Sequence, residues 1–112
     1  MLTFPYDPES GSGIGTVTEA GAARTLIASD ARKMIKCTSD DPVTITVNSG
    51  VFAVGDEIYF EQHGAGQITF DGTATLETSD DYNPASASQH AIIGIRFDSD
   101  SLANCFGDRE LI

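Results

Sequence analysis

The chain has 112 residues, room for one ordinary domain and no second independent core. Its 17 acidic and 6 basic residues give a net charge of -11. That charge opposes binding to nucleic-acid phosphates, where Lys and Arg must replace counterions, and to anionic membrane surfaces. A composition 40% hydrophobic supports a folded core, and no apolar run approaches the roughly 20 residues of a membrane span. The start, "MLTFPYDPES", lacks the basic and apolar regions of a secretory signal, so synthesis in a cytoplasm is expected.

Residues 1-22 read as an extended N-terminal arm, ahead of a β-domain over residues 23-112. Leu2, Phe4 and Tyr6 alternate at period two, next to Pro5 and Pro8, which favour extended backbone. Gly11, Gly13 and Gly15 follow as a hinge. Such a cluster suits strand addition on another chain; the plainer alternative is a disordered terminus.

Regular patterning begins at Ala23. Two apolar runs, Leu26 to Ala28 and Met34 to Cys37, flank "SDARK", which suits a helical or 3-10 turn capped by Ser29 or Asp30. In "DDPVTITVN", Val43, Ile45 and Val47 share one face of a strand. "NSG" is a turn, and "VFAVGD" is a short apolar piece ending in a second turn. In "EIYFEQHGAGQITFDG", Ile58 and Phe60, then Ile68 and Phe70, mark two half-buried strands. The glycine-rich joint feeds a strand and not a helix N-terminus, so it reads as a hairpin turn with His63 exposed, not as a phosphate loop. A short strand near Thr75 to Glu77 precedes a long polar loop containing Asn83-Pro84. "HAIIGIRFD" is a strand with Ile93, Ile95 and Phe97 on one face, and "LANCFGD" closes the domain. Short strands with frequent turn signals predict an all-β fold, an antiparallel β-sandwich or barrel-like module.

Chemistry-bearing patterns are sparse. Cys37 and Cys105 lack zinc-ligand spacing and sit in apolar, strand-like contexts; whether they pair stays open. His63 and His90 belong to no motif, and Asp40-Asp41, Asp80-Asp81, Asp98 and Asp100 fall in predicted turns. No catalytic residue, cofactor or metal ligand is assigned, and an enzyme is not expected.

The order of pieces resembles a β-rich module of tailed-bacteriophage virion proteins, found in head-decoration proteins, head fibres and tail fibres. The matching residues are Asp30-Ala31-Arg32-Lys33, Val43 to Val47, Val54-Gly55-Asp56-Glu57-Ile58 and Gln62 to Thr69, with a closing Gly107-Asp108. They span about residues 25-108. Many members carry a tryptophan before the closing pair, and this chain has none. The resemblance implies a structural virion protein. A tail fibre would add a long stalk, whereas this sequence holds little beyond one module, which favours a capsid decoration, or cement, protein. Its implied partners are the major capsid protein and two further copies in a homotrimer, on the capsid surface. Leu2, Phe4 and Tyr6 would then contact the capsid, and Val51, Phe52 and Tyr59 would meet between copies, unless Phe52 is core. The alternative is a fibre or head-fibre adhesin that contacts the host surface through Asp81, Tyr82 and Asn83.

Overall fold

The computed structural model describes residues 14-112; Leu2, Phe4 and Tyr6 lie outside them. The described chain forms β1 (Thr16–Glu19), β2 (Ala23–Thr25), a 3-10 turn (Ala28–Asp30), β3 (Met34–Cys37), β4 (Val43–Thr46), β5 (Glu57–Gln62) and β6 (Ile68–Asp71). Then come β7 (Thr75–Glu77), β8 (Tyr82–Ser86), β9 (Ile92–Phe97), β10 (Leu102–Gly107) and β11 (Arg109–Leu111). No helix among these residues is long and apolar enough to cross a membrane.

The first six strands alternate between two sheets. β1, β3 and β5 pair in parallel in one layer, and β2, β4 and β6 pair in parallel in another. Parallel neighbours cannot be joined by a tight turn, so each needs a crossover. Here the crossover is a strand of the opposite layer. The chain therefore coils in a solenoid-like path, each pass laid on the one before. β5 then pairs antiparallel with β9, and β9 with β10, while β7 lies parallel to β10 at the far edge. β8 and β11 form a separate antiparallel pair.

Alternation within each strand sends one set of side chains inward. Ile35 lies beside Phe60, Phe60 beside Ile93, Ile58 beside Ile95, and Ile95 beside Cys105. Val43, Ile45, Val47 and Ile68 close this core from the second layer, all fully buried. The all-β expectation holds. The antiparallel pairing expected with it is met in β5-β9-β10 and β8-β11 only; the first six strands are parallel. The physical reason is that apolar alternation specifies which face is buried, not which way the neighbouring strand runs.

The joint after β5 is likewise not a hairpin. β5 and β6 belong to different sheets, so residues 63-67 form an arch between layers. It stacks on the arch of the previous coil: His63 and Gly64 donate backbone N–H bonds to the Cys37 carbonyl at 2.8 and 3.1 Å, and Gly66 donates to Ser39 at 3.0 Å. A Cβ on Gly64 or Gly66 would overlap backbone of Ser39 or Asp41, so this stacking needs glycine. Inside the arch, the buried Gln62 amide donates to the carbonyls of Gly64 (3.3 Å) and Ala65 (3.2 Å). Its oxygen accepts from Ser86 Oγ at 2.6 Å, and that Oγ accepts the Ile68 N–H at 2.8 Å. Each polar group in this buried network has a partner, so Gln62 can occupy an inward position.

Two further differences from sequence concern boundaries. β1, within the segment read as an arm, is the edge strand of the six-stranded sheet, with Met34 N–H bonded to the Gly15 carbonyl at 2.8 Å. The polar loop 78-90 contains β8. A 3-10 turn forms between the two apolar runs as expected, but it begins at Ala28, one residue before "SDARK", and its N-cap is Ile27 and not Ser29 or Asp30. Asp30 is its last residue, and its carboxylate reaches back to accept the Ile27 N–H at 3.0 Å.

Cys37 and Cys105 are buried free thiols on β3 and β10, with β5 and β9 between them. At the usual spacing of about 4.8 Å per strand they are too far apart to bridge. Burial pushes both thiols up to about 11, from an ordinary 9.0. The folded chain therefore keeps protons that the unfolded chain releases between pH 9 and about 11. Stability is expected to be flat in this respect below pH 9, to fall as pH rises through that window, and to level off above it. Denaturant titrations across the window check this. Iodoacetamide at pH 8 is expected to label neither thiol in the folded protein and both after denaturation.

Candidate functional site

The outward face of the six-stranded sheet carries an apolar row. The register places Met34 beside Tyr59, Tyr59 beside Gly94, and Gly94 beside Phe106. All three side chains are half-buried, and Ile92, 48% exposed, extends the apolar surface on β9. Gly94 decides the packing. A Cβ there would strike the Phe106 ring, so its absence lets Phe106 lie over β9 and meet Tyr59 edge-on, with ring centroids 6.3 Å apart.

Charged rows flank this strip. On one side Glu57 and Arg96 face each other across β5 and β9, with Arg96 Nε 3.5 Å from Glu57 Oε2. On the other, Lys36 lies beside Glu61. The Tyr59 hydroxyl donates to Glu57, and that hydrogen bond, with desolvation, pushes the phenol up to about 12. Tyr59 thus stays neutral, its hydroxyl tied to the charged rim and its ring to the apolar row. An apolar centre with a polar rim is an arrangement found in protein-protein contact surfaces.

The residues singled out from sequence do not converge. Tyr59 belongs to the row. Phe52 is 4% exposed and stacks on Phe97 at 5.0 Å between ring centroids, so it is core, and Val51 is half-buried against the same core. A surface joining Val51 and Phe52 to Tyr59 is therefore not formed. Asp81 is exposed, but Tyr82 and Asn83 open β8 and are engaged with β11: Arg109 lies 4.3 Å from the Tyr82 ring centroid, and Asn83 Nδ2 donates to Glu110 at 3.0 Å. That bond and one from Gln67 hold the Glu110 carboxyl below its usual range. Met34, Gly94 and Phe106 were not foreseen. The available signal was Gly94 itself, a glycine inside the apolar run "IIGIR", which marks close approach to a strand.

The two histidines, unrelated in sequence, come together at the β5-β9 end, with ring centroids 5.8 Å apart and His63 Nδ1 3.2 Å from Glu61 Oε2. Comparison with protein-family models, with curated proteins and with solved structures returned no match.

Proposed function

We propose that this chain is a structural virion protein of a tailed bacteriophage, a decoration protein that binds and cements the mature head. The observation that carries the reading is the apolar row of Met34, Tyr59 and Phe106 bounded by charge, on a face rigidified by a continuous hydrogen-bonded sheet. The sequence resemblance over residues 25-108 supplies the setting. The two layers act as one sandwich-like block. The row meets the same row of neighbouring copies in a trimer, and Leu2, Phe4 and Tyr6 reach the major capsid protein.

The mechanism is mass action. A block that binds only the assembled, expanded shell stabilises it by RT ln(1 + [L]/Kd) per site. Repeated sites on one particle and a trivalent block make modest single-site affinity sufficient. The acidic surface keeps free copies apart by self-repulsion until the row or the arm is engaged. Quantitative mass spectrometry of purified virions tests this. A copy number that scales with the major capsid protein is expected. A copy number equal to that of the fibres would replace this reading with the adhesin.

A further inference from the structure

We propose that Glu61, His63 and His90 form a binding site for one divalent transition-metal ion of the zinc type. Strand alternation builds the first half. Gln62 points into the core at 3% exposure, so Glu61 and His63 on either side of it share the outward face. Strand pairing builds the second half. The ladder joins Glu61 to Ile92 and is continued by Gln62 N–H to the Ala91 carbonyl at 2.9 Å and His90 N–H to the Gln62 carbonyl at 2.6 Å. His90 thereby sits opposite His63.

One ligand atom from each of the three side chains lies within 4.8 Å of the others. Tetrahedral zinc with nitrogen and oxygen ligands at about 2.0-2.1 Å needs donors about 3.4 Å apart. Rotamer changes of the exposed His90, of His63 and of the half-buried Glu61 would close that difference. Two imidazoles and one carboxylate form a borderline donor set, suited to zinc and poor for calcium, which takes six to eight oxygens. The fourth position faces solvent.

The backbone holds this arrangement against its own preference. His90 has φ 73, the left-handed region, which non-glycine residues seldom adopt. The turn that imposes it is fixed by Ala91 N–H to the Ser88 carbonyl (3.1 Å) and by Gln89 Nε2 to the His63 carbonyl (3.0 Å). That second bond ties the two histidine segments directly, so the donors are brought together before any ion arrives. An ion bound here would clamp the start of β9 to the arch that follows β5.

The test is calorimetric titration of Zn2+ into the untagged full chain, with Ca2+ as control. One equivalent of Zn2+ is expected to bind and Ca2+ to give no saturable heat. His63→Ala and His90→Asn are each expected to weaken Zn2+ binding more than about a hundredfold, beyond the roughly 10-100-fold that loss of an outer-shell partner costs. Asparagine is chosen because it tolerates the left-handed backbone. Thermal unfolding without metal verifies that both variants fold, and imidazole NMR shifts on adding Zn2+ report the two rings directly. Absence of saturable binding, or equal binding by wild type and the two variants, would overturn the proposal.

Discussion

Gly66→Ala is expected to destabilise the protein by about 3 kcal/mol, with a fall in Tm of roughly 12-24 °C for a domain of this size. Gly66 sits in the arch between β5 and β6, where the new Cβ would overlap the carbonyl of Asp41 in the coil beneath. That carbonyl is not free to retreat: it accepts Ser39 Oγ at 3.0 Å, and Ser39 in turn holds the Asp41 and Gly66 N–H groups. The overlap is therefore with fixed backbone. Gly66 is not a positive-φ glycine, so alanine is conformationally acceptable there. If residues 63-67 were a free hairpin turn, the same substitution would stabilise by about 0.4-1 kcal/mol through the unfolded chain. Sign as well as size separates the two topologies. Thermal melts of Gly66→Ala beside Ala65→Gly, a change at an exposed neighbour, make the measurement.

Asp30→Ala is expected to cost about 3-5 kcal/mol, the usual loss when one partner of a buried ion pair is removed. The Asp30 carboxylate has 3% side-chain exposure and accepts from Arg24 Nη2 at 2.7 Å as well as from the Ile27 N–H. Removing it orphans that N–H and leaves Arg24, 19% exposed, with Glu19 alone at 3.1 Å. The consequence is structural: Arg24 sits on β2, Glu19 on β1, and Asp30 ends the turn into β3, so this pair fastens the first coil to the second. Asp30→Asn keeps an acceptor for Ile27 and most of the shape, and is expected to lose less than alanine does. Urea unfolding of both variants checks the order; equal losses would assign the whole effect to charge.

Strand positions and the inward faces were legible from sequence because β-branched alternation is a local signal. Val43, Ile45 and Val47, Ile58 and Phe60, and Ile93, Ile95 and Phe97 are buried as their spacing predicts. A turn between the two apolar runs was legible from the polar "SDARK", but its N-cap was not: Ile27 is no capping residue by type, and Asp30 serves it from the third position of the turn. Strand partners were not. The glycines of "HGAG" suit both a hairpin and an arch, and only their approach to Ser39 and Asp41, two coils' worth of chain brought into contact, decides between them. β8 was hidden because Asn83 and Pro84 argue against a strand; it forms where one ladder partner suffices, since β8 pairs with β11 alone. The His63-His90 meeting was invisible for the same reason as the arch: it depends on the β5-β9 register, which no local pattern encodes.

The proposed role is the cementing of a phage head. It is tested most directly by co-sedimentation with empty mature heads of the matching phage, using the full chain, a chain lacking residues 1-13, and Phe106→Glu. The truncation leaves intact the Gly15 carbonyl that Met34 uses and β1 itself. Saturable binding by the full chain, lost on truncation and weakened when Phe106→Glu places a charge in the apolar row, is the predicted result. Failure of the full chain to sediment with the heads at any concentration would contradict the proposed role.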